Sequence, residues 1–195
     1  YNSAVLIGPN KIIGKHRKSH GYIAEPKWSA PGQEHLVFDT DIGKIGILIC
    51  MDIHFIETAR LVALQDADII IHISNWLSER TPAPYWISRA FENSCYLIES
   101  NRWGLERTVQ FSGGSCIINP DGSIASVIDK GDGIAYAKID LSWSRKREVL
   151  DEKTFDDRRP EMYLNLPTDP YLWNPLDFFG LYGLDPLPKG KESLI

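Results

Sequence analysis

A chain of 195 residues in which 43% are hydrophobic and 24% charged has the means to bury one core, which argues against a disordered or fibrous class. Its formal net charge of −5, with no dense Lys/Arg run, argues against nucleic acid as the main partner. No apolar run reaches the roughly 18 residues that a membrane span needs, and no secretory pattern opens the chain. Three cysteines, an odd and small number, fit free thiols in a reducing compartment, so a cytoplasmic protein away from membranes is expected.

In chain order, residues 3–8 and 11–14 read as two short strands joined by the turn at Pro9 and Asn10. Residues 15–33 are polar, hold Pro26 and Pro31 and show no period, which predicts a long loop of the kind that often carries function. Residues 36–40 and 44–50 form the next strand pair. The second is nearly all apolar, as expected where both faces of a sheet are covered. Residues 55–67 read as a helix with Phe55, Ala59, Val62 and Ala63 on one face. A buried strand over 68–74, a helix over 83–93 and a strand over 95–101 follow, and this β-α-β-α-β order places helices over a central sheet. Residues 114–120, 123–128 and 134–139 read as consecutive hairpin strands, with Asp121-Gly122 as a turn. The folded domain is expected over 1–150, and the Pro- and aromatic-rich stretch 151–195 reads as an extended tail. The chain opens on Tyr1 and runs directly into a strand, so it reads as a segment of something longer.

A reactive thiol is exposed and held near positive charge. Cys50 stands where an apolar strand ends and the turn Met51-Asp52-Ile53-His54 begins. Such a strand-to-helix turn offers a side chain at the sheet edge with free backbone N–H groups beside it. Cys95 and Cys116 sit among apolar residues and read as small core side chains. Position alone leaves Cys50 open between nucleophile and buried structural cysteine. A Cys50–His54 metal pair lacks a second pair of ligands, so no metal is expected. A Cys50–His54 catalytic pair is unusual across so short a turn.

Several segments are familiar in sequence. Lys15-His16-Arg17-Lys18-Ser19-His20, followed by Glu25-Pro26-Lys27-Trp28-Ser29-Ala30-Pro31-Gly32, resembles the lysine loop of the nitrilase superfamily. Ile45-Gly46-Ile47-Leu48-Ile49-Cys50-Met51-Asp52 resembles its cysteine segment, with Phe55, Glu57 and Arg60 beyond. Ser74-Asn75-Trp76, Arg89-Ala90 with Glu92-Asn93, Asn101-Arg102 with Gly104 and Glu106, and Gly113-Gly114-Ser115 with Pro120 and Gly122 match in the same order. The resemblance spans most of residues 1–140. It implies an α/β fold of the four-layer α-β-β-α sandwich type and a Glu–Lys–Cys triad assisted by a second glutamate. Carried over by position, Cys50 is the nucleophile, Lys18 the catalytic lysine and Glu25 the second glutamate. The triad's own glutamate is expected ahead of Lys18, where this sequence holds no Asp or Glu, so the segment by itself is expected to be inactive.

The resemblance implies a hydrolase that cleaves a non-peptide carbon–nitrogen bond through a Cys50 thioester, without metal or organic cofactor. Met51-Asp52 after the nucleophile, in place of the Trp-Glu typical of nitrilases, favours the amidase-like and carbamoylase-like branches. Ile53 and His54 stand where hydrolases of N-carbamoyl-D-amino acids carry an Arg pair, which disfavours a substrate with a free carboxylate. The substrate is therefore expected to be a small or aromatic amide. N-carbamoyl amines, nitriles, acyl transfer and a non-catalytic role on the same fold are the alternatives. Met51, Asp52, Phe55, Asn75 and Trp76 are the expected oxyanion and substrate contacts, with Tyr85 and Trp86 as further wall residues. Family members commonly form dimers or larger oligomers, which points to a homo-oligomer with residues 163–187 as a subunit contact.

Overall fold

The computed structural model describes residues 1–77 and 80–163. A six-stranded mixed sheet runs in the order β10-β9-β6-β5-β4-β3, from β3 (Val37–Thr40), β4 (Gly43–Ile49), β5 (Ile69–Ser74), β6 (Tyr96–Asn101), β9 (Ser115–Ile118) and β10 (Ile124–Ile128). The β4–β5 and β5–β6 pairs are parallel, and the outer pairs are antiparallel. Helices α1 (Ile56–Ala63) and α2 (Pro84–Asn93) supply the two crossovers, as parallel neighbours require.

Burial explains the apolar run of β4. Ile45, Leu48 and Ile49 are buried, as are Ile70 and Leu97 on the neighbouring strands. Val62, Ala59, Trp86 and Ala90 close one face of the sheet with Ile53 and Trp76. Gly46 has no side chain because a Cβ there would lie 2.8 Å from that of Val62, so the close seating of α1 depends on it. On the other face lies the hairpin of β1 (Ser3–Ile7) and β2 (Ile12–Arg17), where the Phe38 ring covers Gly14. Helices, sheet and second sheet thus form successive layers of the expected sandwich.

The structure departs from the sequence reading at four places. Lys15–Arg17 belong to β2, because Ser3 pairs with Arg17, so the loop begins at Lys18. The helix expected over 55–67 is α1 alone, preceded by a 3-10 turn over Cys50–His54 and ended by a tight turn with Asp66 at φ +66°. Residues 134–139 alternate in exposure as a strand would, yet no ladder forms along them, and Ile134 and Tyr136 stand open. A hairpin of β7 (Trp103–Glu106) and β8 (Val109–Ser112) is present that the sequence pattern does not predict.

The chain divides into two units, the first a compact one over Tyr1–Asp157. The first reaches past residue 150 because Phe155 packs on the helix cluster, with the Arg60 guanidinium 4.8 Å from its ring centre. Of the tail expected to bind another subunit, residues 164–195 lie outside the described residues. No helix among the described residues is long and apolar enough to cross a membrane.

Asp68 pins the last part of this unit to the sheet. Its buried carboxylate accepts the Lys44 N–H at 2.9 Å and the Arg145 Nε and Nη2 at 3.0 and 3.1 Å. Burial works to raise its pKa, but the Arg145 and Lys44 bonds outweigh that and hold it below the usual carboxylate value. A lowered native pKa means that the ionised form stabilises the fold. That contribution is full above the unfolded value of about 3.9 and fades as pH falls through the native one. Asp68→Ala should therefore cost about 1–3 kcal/mol in urea unfolding at neutral pH, with the exposed Arg145 adding little. The gap to wild type should close in acid.

Candidate active site

The parallel strands β4, β5 and β6 end side by side, and a cavity of about 830 Å³ opens at their carboxyl ends. This is where open α/β sheets usually bind ligands. Ile49 and Cys50 line it from the end of β4, Ser74 and Asn75 from the end of β5, and Asn101 and Arg102 from the end of β6. Asn2, Lys18, Tyr22, Glu25 and Trp28 supply the facing wall.

Cys50 opens the 3-10 turn with φ +46°, a left-handed conformation that costs a non-glycine residue about 1–2 kcal/mol. Burial pushes its thiol up, while the Lys18 ammonium and the backbone N–H groups of Asn75 and Met51 work the other way and the balance stays raised. The other two cysteines are fully buried, and burial pushes each thiol up to about 12, which suits inert core residues.

Lys18 is nearly buried at the head of the loop, and its ammonium donates to Glu25 Oε2. Its backbone is gripped from both sides: its N–H donates to the Asn2 carbonyl, and its carbonyl accepts the Gly32 N–H, each at 2.8 Å. Gly32 makes that grip possible, since a Cβ there would sit 2.1 Å from the Arg17 carbonyl oxygen. Glu25 starts a short 3-10 turn, accepts the Asn2 amide at 2.8 Å and accepts the Tyr22 N–H at 3.0 Å. Burial would raise the Glu25 pKa, but the bonds from Lys18, Asn2 and Tyr22 bring it below the usual value, so Glu25 is a carboxylate.

Asp52 is fully buried behind this wall. Its Oδ1 accepts the N–H groups of Ser19 and His20 at 3.0 Å each and the Ser19 hydroxyl at 2.8 Å. Its Oδ2 accepts the Ile49 N–H and meets His16 Nε2, both at 3.0 Å. Burial opposes the charge, yet these donors hold the Asp52 pKa far below the ordinary range. One carboxylate thus joins the lysine loop to the cysteine turn.

Of the residues expected at the site, Cys50, Lys18, Glu25 and Asn75 meet at one cavity, and Met51 contributes its N–H beside Cys50. Three others do not reach the cavity wall. Asp52 is turned to the Ser19, His20 and Ile49 N–H groups, the Ser19 hydroxyl and His16. The Phe55 ring stacks on His20 at 3.8 Å. Trp76 is buried, with its ring 5.9 Å from Trp86 and 5.7 Å from Tyr85, so these aromatics serve the core. Sequence reasoning passes over Asn2, Tyr22, Ser74 and the wall role of Arg102. Asn101 and Arg102 do carry a signal, since they end the third parallel strand. No group of three or more potential metal ligands occurs among the described residues.

Fold and cavity together define an α/β protein that gathers a thiol, an ammonium and a carboxylate at the carboxyl ends of parallel strands. Residues 1–147 match the Carbon-nitrogen hydrolase family, and the chain belongs to that family, within the nitrilase superfamily. It is 39% identical over 166 residues to a protein of Pyrococcus abyssi (strain GE5 / Orsay) named Nitrilase, covering 84% of this chain and 63% of the relative. It is 30% identical over 182 residues to the deaminated glutathione amidase of Homo sapiens, covering 85% of this chain and 55% of that protein. The carbon-nitrogen hydrolase from Helicobacter pylori G27 superposes with a TM-score of 0.77 at 26% identity, over 86% of this chain and 65% of that one. The chain thus spans about three-fifths of the length of the curated relatives that it matches.

Asp52→Ala strands the Ser19 and His20 N–H groups. Losing a buried acceptor costs about 1–3 kcal/mol, so the loop amides should exchange hydrogen about ten- to a hundredfold faster. Hydrogen-exchange mass spectrometry of peptides covering residues 18–33 reads this directly.

Proposed function

We propose that the protein hydrolyses a non-peptide amide to a carboxylic acid and ammonia through a thioester on Cys50. The observation that carries this reading is the convergence of Cys50, Lys18 and Glu25 on one cavity, in a chain of the carbon–nitrogen hydrolase family. The amidase activity in the name of one relative is consistent with it.

In this reading Cys50 gives up its proton to a general base, and Sγ attacks the amide carbon. The carbonyl π electrons move onto oxygen. The Lys18 ammonium and the Met51 N–H neutralise that oxyanion, and preorganised donors of this kind commonly contribute more to such catalysis than any other single effect. Glu25 fixes the ammonium in place. The tetrahedral species collapses as a general acid protonates the departing nitrogen, which leaves ammonia and the Cys50 thioester. Water then adds to the thioester carbon, and the acid departs as the thiol re-forms. Because burial holds the Cys50 thiol up, the attack depends on a base, and the resemblance expects that base to be a glutamate ahead of Lys18. Asn75, Tyr22 and Trp28 lie on the wall where the acyl group would rest. A homo-oligomer is proposed on the resemblance alone.

The test is ammonia release from a panel of amides, nitriles and N-carbamoyl amines by the full-length protein, in which the resemblance expects a glutamate ahead of Lys18. Turnover should favour amides and vanish in Cys50→Ala with the fold kept. Lys18→Met should lower kcat about 10²–10³-fold, as loss of an oxyanion donor does elsewhere. Full activity in Cys50→Ala would remove the proposal, and a preference for nitriles would replace the substrate class.

A further inference from the structure

One buried ionisable pair has no part in the mechanism above. His72 and Glu99 face each other in the register of the parallel strands β5 and β6, both out of reach of solvent. Neither is expected in strands that otherwise read Ile-Ile-Ile and Tyr-Leu-Ile, and burying such groups is costly unless every polar atom is matched. They are matched. His72 Nε2 lies 3.0 Å from the Cys50 carbonyl oxygen, and Nδ1 contacts Glu99 Oε2. Glu99 Oε1 accepts the Ser74 hydroxyl, and Asn101 Oδ1 accepts the Trp76 N–H at 2.9 Å. The rings of Trp76 and Trp86, each 6.1 Å away, enclose the imidazole.

We propose that His72 and Glu99 form a positioning pair that fixes the Cys50–Met51 peptide plane and thereby aims the Met51 N–H at the oxyanion. The Cys50 carbonyl only accepts, so Nε2 carries a proton. One further proton then lies between Nδ1 and Oε2, on either atom. Without it, the bare Nδ1 would face a carboxylate, or the imidazole would turn its proton to Glu99 and release the Cys50 carbonyl. Glu99 therefore keeps His72 in the form that holds Cys50.

The peptide bond carries this restraint to the reacting atoms. The Cys50 carbonyl and the Met51 N–H belong to one rigid plane and point in opposite directions. Holding the carbonyl against β5 from behind turns the N–H outward, beside the sulfur, where it already favours the thiolate. Cys50 needs such a hold because its φ of +46° is unfavourable for a residue with a side chain. Asp52 restrains the preceding N–H of Ile49, and His72 restrains the carbonyl that follows, so the nucleophile is held on both sides.

This inference rests on the proposed hydrolysis. The test compares His72→Gln, whose amide nitrogen can take the place of Nε2, with His72→Asn, whose shorter amide cannot reach Cys50. On an amide that the wild type hydrolyses, kcat should fall about 10²-fold in His72→Asn with KM little changed, because the donor acts in the transition state. His72→Gln should keep kcat within about threefold, and so should Glu99→Gln, which can donate to Nδ1 and preserve the Nε2–H form. Alkylation of Cys50 by iodoacetamide forms no oxyanion and reports only the thiolate, so it should fall far less than kcat in His72→Asn. Thermal unfolding of each variant separates loss of fold from loss of aim, and Glu99→Leu replaces His72→Asn should the latter not fold. Equal kcat in the matched Gln and Asn variants overturns the positioning role, as does a His72→Gln protein that cannot fold. A full-length protein, with a glutamate ahead of Lys18 as the resemblance expects, that shows no turnover, or turnover that survives Cys50→Ala, overturns the hydrolase reading itself and this inference with it.

Discussion

The Asp52 carboxylate sits two residues past Cys50 and takes hydrogen bonds from two segments that are far apart in sequence. Ser19 and His20 offer their N–H groups from the lysine loop, Ile49 offers its own from the end of β4, and His16 completes the set. A buried charge of this kind is tolerable only because each lone pair has a donor. The same requirement gives it directional force, since moving the loop would strand several donors at once. Lys18 stands one residue before this anchor. The position of the ammonium beside the thiol is thus a consequence of where Asp52 is buried, and the shape of the cavity follows from both.

The sheet supplies the other half of the constraint. Parallel pairing of β4, β5 and β6 lines up three chain ends, so that Cys50, Asn75 and Arg102 reach one opening without any long-range search. The apolar filling of these strands and the close seating of α1 over Gly46 make that edge stiff. A stiff edge can hold Cys50 in a left-handed conformation that a loop would relax. It can also hold a carboxylate–imidazole pair behind it, out of reach of solvent. Stability and chemistry are therefore arranged on the same few residues, which is typical where backbone strain is kept at a site.

The central strands are legible in the sequence because their apolar runs are long and bounded by turns. The meeting of Cys50, Lys18 and Glu25 at one cavity is legible too, through their segments more than through their own chemistry. What escapes is set by partners. Residues 134–139 have the alternation of a strand, but alternation specifies a face and not a neighbour, and no ladder forms. The β7–β8 hairpin is hidden because only Phe111 among its residues is buried and Gly104 interrupts them, so no apolar period marks it. Trp76 reads as a pocket residue in sequence, since a large aromatic near a nucleophile suits either a wall or a core. Its stacking on Trp86 decides for the core. Proximity to Cys50 suggests substrate contact for Asp52, whereas its role depends on N–H groups thirty residues earlier. His72 and Glu99 have a faint signal, each being the one histidine or carboxylate in its strand, and only the strand register pairs them.

The central claim is that Cys50 forms a covalent bond to the acyl part of an amide. Mixing the full-length protein with an amide, quenching in acid during turnover and mapping the digested peptides by mass tests it most directly. The expected result is an acyl group on the peptide that contains Cys50, present during turnover and gone once the substrate is spent. An acyl group on any other residue, or steady turnover with Cys50 never modified, would contradict it.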